Sequence, residues 1–167
     1  MIRPRIFNVF IALQLCLLAG ALNASELRVG DTPTLPTLRA MDGKIIDAAS
    51  LRGKTVVISY FSTTCPFCMN EAPKLQKLYR NNTDKLIVIG VNIQRNDPDQ
   101  HAKTAQWVKK YGLTHPVTTE FTALEKVLGK LKGLPVNQIL DGRGNVVRID
   151  IGEIFDEDFD DIARLAR

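Results

Sequence analysis

Two hydrophobic rhythms alternate along the chain. Thr34 to Met41 has strand character, Asp42-Gly43 is a hairpin turn signal, and Lys44 to Asp47 returns from it. Leu51 to Lys54 reads as a loop. Thr55 to Phe61 (TVVISYF) is β-branched or aromatic at nearly every position, the composition of a strand covered on both faces. Lys85 to Asn92 (KLIVIGVN) is a second buried strand. Between them Pro66 to Tyr79 predicts a helix, with Pro66 in the first turn, where its missing N–H costs nothing, and Pro73 further in, where it should bend the axis. Asp97 to Tyr111 predicts a helix with Asp97 as N-cap before Pro98. Pro116 to Thr119 is a short strand and Thr122 to Lys132 a helix. Val136 to Leu140 and Val146 to Ile151 form a hairpin around Asp141 to Asn145, and Asp156 to Leu165 closes the chain as a helix. Strands alternating with helices and ending on a hairpin predict an α/β sheet built by crossovers.

The first residues follow a different pattern. Arg3 and Arg5 give a basic start, Ile6 to Leu18 is apolar except for Asn8 and Gln14, and Ala19-Gly20-Ala21 and Ala24 supply small residues. This is the layout of a secretory signal peptide cut after Ala21 or Ala24. The alternative is an uncleaved membrane anchor, for which the run is short of the roughly 20 apolar residues a span requires. A lipoprotein signal needs a small residue before Cys16, and Leu15 stands there. The chain thus divides into residues 1–24, a signal peptide or anchor, and 25–167, one folded domain. With 45% hydrophobic and 24% charged residues it can bury a core without staples. The net charge of +4 includes Arg3 and Arg5, and no basic cluster with interleaved aromatics points to nucleic acid. The acidic stretch Glu153 to Asp161 suits the first turn of a helix, where the dipole favours carboxylates.

Export changes the meaning of the cysteines. Cys16 leaves with the targeting segment, so Cys65 and Cys68 remain as a C-x-x-C pair in an oxidising compartment. A disulfide closing so short a loop restricts the unfolded chain little, so a working redox pair explains it better than a staple. Cys65 follows a buried strand and opens a helix, where the dipole and free N–H groups favour the nucleophilic thiolate. Cys68, one turn on, can attack a mixed disulfide and release the substrate. A structural zinc site needs about four ligands, and the domain has no second cysteine pair and two distant histidines, His101 and His115. No metal and no cofactor is expected.

From Leu35 to Leu165 the chain resembles the TlpA/ResA-like thioredoxin family of exported thiol–disulfide oxidoreductases. The resemblance rests on the Asp42-Gly43 hairpin, Leu51-Arg52-Gly53-Lys54 and the strand TVVISYF. It continues through Cys65-Pro66-Phe67-Cys68, then Glu71-Ala72-Pro73, Gly133-Leu134-Pro135, and the hairpin after Asp141-Gly142. It implies a thioredoxin-like fold, with a central mixed sheet flanked by helices and an N-terminal β-hairpin extension. It implies a redox disulfide between Cys65 and Cys68, and makes Pro135 the cis-proline facing it. The backbone of Leu134 would pair with the substrate chain, and Pro66 and Phe67 would border it. Two departures stand out. Phe61 and Thr64 occupy places where such families carry tryptophans, and Ser59 stands where thioredoxin has a buried Asp. The proton acceptor for Cys68 then falls to Glu71, which matches the family's active-site glutamate; its bland alternative is a solvated helix residue. His115 reads as a surface-loop histidine, Trp107 and Tyr111 as packing, and Met69 as a border of the substrate groove.

The resemblance implies an exported, periplasmic reductant of disulfides in client proteins, of the cytochrome c maturation type, supplied by a membrane electron donor. It is soluble, or tethered if its N-terminal segment is retained. A disulfide-forming oxidant is the alternative. A peroxidase of the P-x-x-x-T-x-x-C type fits poorly, since Ile58 and Ser62 occupy its Pro and Thr positions. A copper-delivery protein would space its cysteines one residue wider, although His115 could serve as its distant ligand.

Overall fold

The computed structural model describes residues 26–166; the expected targeting segment, with Arg3, Arg5 and Cys16, lies outside the described residues. Strands β1 (Leu38–Arg39) and β2 (Ile45–Ile46) pair antiparallel as a separate hairpin, and helix α1 (Ala48–Leu51) follows. Then come β3 (Thr55–Phe61), α2 (Pro66–Asn81), β4 (Leu86–Asn92) and α3 (Gln100–Tyr111). The chain ends with β5 (Val117–Thr118), α4 (Phe121–Leu128), β6 (Val136–Leu140), β7 (Val146–Ile151) and α5 (Asp156–Leu165). The main sheet has the order β5-β4-β3-β6-β7. β3, β4 and β5 run parallel, whereas β6 and β7 pair antiparallel. This is the mixed, thioredoxin-like sheet with an N-terminal hairpin that the motifs imply. Among the described residues no helix is long and apolar enough to cross a membrane.

Several boundaries differ from the sequence reading. Only Leu38–Arg39 of the stretch Thr34 to Met41 pairs, because a hairpin outside the main sheet offers few partners. The expected loop at Leu51 is instead the end of α1, whose start is fixed by a capping box: the Asp47 carboxylate accepts from the Ser50 N–H at 2.9 Å, and the Ser50 hydroxyl accepts from the Asp47 N–H at 3.0 Å. Helix α3 begins at Gln100 after Asp99, not at Asp97; the Asp97 carboxylate instead accepts from the Asp99 N–H and from Lys103. Helix α4 stops at Leu128, where Gly129 turns to φ 80°, rather than running to Lys132. Helix α2 continues through Pro73 to Asn81.

Side chains of β3 alternate between two covered faces. Val56, Ile58 and Tyr60 point to one side, where Ile89, Val91, Val136 and Leu140 join Phe121, Leu124 and Leu128 of α4 and Leu38 and Ile46 of the hairpin. Val57 points to the other side, with Val88 and Ile139, against Leu75 and Leu78 of α2 and Phe159 and Ile162 of α5. On that second side the next row across the sheet is small and polar: Gly90, Ser59 and Asn137 are direct partners on β4, β3 and β6. Beyond it Phe61 stacks on Trp107 of α3 at 4.9 Å. The small row leaves room between two apolar layers, under the start of α2.

The β6–β7 turn locks onto the chain entering β3. The Gly53 N–H donates to the Gly142 carbonyl at 3.0 Å, and a Cβ on Gly142 would stand 3.0 Å from the Gly53 carbonyl carbon and oxygen. Backbone cannot move aside as a side chain can. Gly142→Ala should therefore cost about 1–3 kcal/mol, read as a lowered urea midpoint with unchanged slope; a wild-type midpoint would show that this contact is not tight.

Candidate active site

Cys65 is the N-cap of α2, extended at φ −85° and ψ 115°, and its Sγ accepts the Cys68 N–H at 3.2 Å. One of the free donors of the helix start is thereby aimed at the sulfur, the position that best supports negative charge. The turn that delivers Cys65 is held from two sides. The Ser62 and Thr64 hydroxyls meet at 2.9 Å, and the N–H and hydroxyl of Thr63 both donate to Gln94 Oε1 at 2.8 Å. Cys65 is partly accessible, whereas Cys68 is 2% exposed and packs with Phe61, Ala72 and Trp107.

Glu71 is 1% exposed and is no solvated helix residue. Its Oε1 accepts the Ile154 N–H at 3.0 Å, and Asn137 Nδ2 donates to Oε2 at 3.2 Å. Burial raises its carboxyl above the usual carboxylate range, and the nearby Glu153 and Asp150 add to this against the opposing pull of the two donors. Burial likewise pushes the Cys68 thiol up, reinforced by the Cys65 sulfur and the Glu71 carboxylate. Two acids that each resist ionisation in one buried place favour a single negative charge between them.

The remaining expected residues fall around this pair. The Leu134–Pro135 peptide bond is cis. Pro135 is buried, its carbonyl accepts the Gly152 N–H at 2.8 Å, and it lines the same cavity as Cys68 and Glu71. Leu134 and Met69 are half-buried against the Phe61–Cys68 cluster. Pro66 and Phe67 stand exposed beside Cys65, Phe67 at 53%. Trp107 and Tyr111 pack ring against ring at 4.6 Å.

Three residues enter the site that the sequence reading did not place there. Asn137 holds Glu71, and Gly90 opens the space beside it. His115 was expected on the surface. Instead it is 6% exposed, because Pro116 and β5 draw the chain over Tyr79 and Gly90, and it lines the cavity with Cys68 and Glu71. Burial lowers its imidazole to about 4. The pattern of β-strand pairing was the only signal that could have found Asn137 and Gly90, since both lie opposite Ser59.

Comparison with known proteins bears on the family and the fold. The family model described as Redoxin matches residues 28–164. The thiol-disulfide oxidoreductase ResA of Bacillus cereus is 28% identical over 158 residues, covering 89% of this chain and 88% of its own. ResA of Halalkalibacterium halodurans is 23% identical over 143 residues, covering 86% and 80%. Among solved structures, a thiol:disulfide interchange protein of the thioredoxin family from Chlorobium tepidum superposes with a TM-score of 0.67 at 25% identity, covering 85% of this chain and 99% of its own. With the fold, the cysteine pair at a helix start and a family match over most of the chain in place, this protein belongs to the Redoxin family, among its ResA-like thiol–disulfide oxidoreductases.

Proposed function

We propose that this chain is an exported disulfide reductase whose Cys65 attacks client disulfides and whose Cys68 resolves the product. The observation that carries this reading is the asymmetry of the pair. Cys65 is accessible with a donor on its sulfur, whereas Cys68 is buried beside a carboxylate. The Cys65 thiolate attacks one sulfur of the client disulfide; a Cys65–client bond forms and the other client sulfur leaves with the electron pair. Cys68 then passes its proton to Glu71 and attacks Cys65 Sγ. The Cys65–Cys68 disulfide forms, the client thiolate leaves and is protonated, and two electrons have moved from the pair to the client. The client backbone runs beside Leu134 next to Pro135, and Pro66 and the exposed ring of Phe67 border it. A membrane electron donor returns the pair to the dithiol. Export rests on the basic, apolar and small-residue pattern of residues 1–24, and clients of the cytochrome c maturation type rest on the likeness to ResA.

Direction and order of attack are separately measurable. A reductant should show a reduction potential nearer the roughly −270 mV of thioredoxin than the about −120 mV of a strong oxidant; a value at the oxidising end would make this a disulfide-forming protein. Cys68→Ala should accumulate mixed disulfides with clients and Cys65→Ala none, and equal trapping by both would void the assignment.

The role given to Glu71 has a kinetic and a stability signature. Glu71→Gln should slow resolution of the mixed disulfide on the order of 100-fold, slow its formation little, and lower the Cys68 pKa by removing a neighbouring charge. The wild-type carboxyl lies above its unfolded value, so its contribution to stability is present at low pH and lost as pH rises through the folded value. Glu71→Gln should therefore melt higher than wild type at neutral pH, with the gap closing toward acid pH. Resolution at the wild-type rate would remove Glu71 from the proton path.

A further inference from the structure

The cavity beneath Cys68 contains a polar group that the proposed chemistry has not used. Its wall includes Cys68, Glu71, Ser59, Gly90 and His115. His115 Nδ1 lies 3.0 Å from the Pro116 carbonyl oxygen. A carbonyl only accepts, so Nδ1 carries the hydrogen and donates. The tautomer is thereby fixed, and Nε2 is left as a bare lone pair. Nε2 is buried and has no hydrogen-bond partner among the described residues. The other such buried side-chain atom is Oδ1 of Asn137, the residue that holds Glu71. Buried acceptors are ordinarily satisfied, by protein or by water. The cavity has about 20 Å³ of space for water centres, enough for one water.

We propose that His115 is a positioning residue for the resolving step: its Nε2 holds one water in the cavity, and that water carries the proton from Cys68 to Glu71. This deepens, and rests on, the reading of Cys68 as the resolving thiol and Glu71 as its proton acceptor. The water donates one hydrogen to His115 Nε2, accepts the hydrogen of the Cys68 thiol, and gives its other hydrogen to Glu71. Cys68 becomes the thiolate, Glu71 becomes the neutral acid, and the water is restored. The ring must stay neutral to accept, and burial keeps it so, lowering its pKa to about 4 against the opposing effect of the Pro116 carbonyl. Cys68 and Glu71 from α2 are the other titratable groups on the cavity wall; Tyr79, also of α2, meets the imidazole edge-on at 6.0 Å between centroids. The β3, β4 and α3 residues facing the cavity are Ser59, Phe61, Gly90 and Trp107, which carry no charge. Gly90 keeps the space open, since a Cβ there would come within 3.3 Å of His115 Cε1.

Stopped-flow measurement of mixed-disulfide formation and resolution with a model disulfide peptide tests this. His115→Leu keeps bulk and removes the acceptor. It should lower the ratio of resolution to formation rate roughly tenfold, about what one ordinary hydrogen bond contributes, and His115→Gln should restore part of it. Adding His115→Leu to Glu71→Gln should slow resolution no further, because both act on one path. Unchanged resolution in His115→Leu, with Glu71→Gln slow, would overturn the role of His115 and leave Glu71 in place; unchanged resolution in both would overturn the two together. Should His115→Leu fail to fold, nitrogen-15 NMR of the wild-type imidazole decides. A neutral ring with hydrogen on Nδ1 and a hydrogen-bonded, bare Nε2 from about pH 5 to about pH 8 is expected. A hydrogen on Nε2 in that range would overturn the proposal.

Discussion

A carboxyl group buried against a buried thiol is the constraint on which this site depends. Taking a charged carboxylate out of water costs several kcal/mol. Hydrogen bonds to a charged group contribute about 1.5–3 kcal/mol each, so the donors from Ile154 and Asn137 offset that cost only in part. The direction of the Glu71 shift agrees: burial outweighs the donors. The carboxyl therefore holds a proton more readily than a solvated one, and the buried thiol near it gives one up less readily. Burial that would be a defect elsewhere is what couples the two groups here.

The sheet makes that burial possible without a tight core beneath it. The apolar row Val57, Val88 and Ile139 supports α2 at its middle, through Leu75 and Leu78. One step along the strands, the row Gly90, Ser59 and Asn137 withdraws that support under the first turns. Cys68 and Glu71 consequently face a small cavity that Phe61, Trp107 and Leu113 also line. The donors to Glu71 come from β6 and from the segment between β7 and α5, on the antiparallel side of the sheet. The bond from Asn70 to Glu153 at 3.0 Å adds a surface tie between α2 and the same segment, and the ion pair of Lys74 with Asp156 ties α2 to the first residue of α5. The C-terminal third of the chain thus holds the carboxyl that the N-terminal part of α2 supplies.

Accessibility then separates the two sulfurs. Both cysteines sit within one helical turn, and their spacing alone does not distinguish them. Cys65 lies outside the first turn, as its cap, and meets a donor and solvent. Cys68 lies inside, where α2 faces the Phe61–Trp107 stack. The ring of Phe67 turns outward from the same turn. Within three positions of chain, Cys65 and Phe67 therefore face outward and Cys68 faces the core.

The sequence by itself determined the strands of the main sheet, the helix that opens on the cysteines, and the pair Cys65–Cys68 with Glu71 one turn on. These are local: β-branched runs, a proline at a helix start, and spacings of three residues that any helix turns into neighbours. It missed the one-turn helix α1 and overran α4, because a capping box and a glycine turn decide such ends within a few residues. It also left open whether Glu71 is solvated, and it set His115 on the surface. Only the tertiary structure decided those two. Asn137 and the Ile154 N–H reach Glu71 across 66 and 83 positions of chain, and no local pattern carries a contact of that range. The burial of His115 depends on where Pro116 and β5 dock, against Gly90 and Tyr79. A histidine beside a proline looks the same in sequence whether the strand after it lies at a free edge or folds the ring over a cavity, because burial is a property of what packs above it.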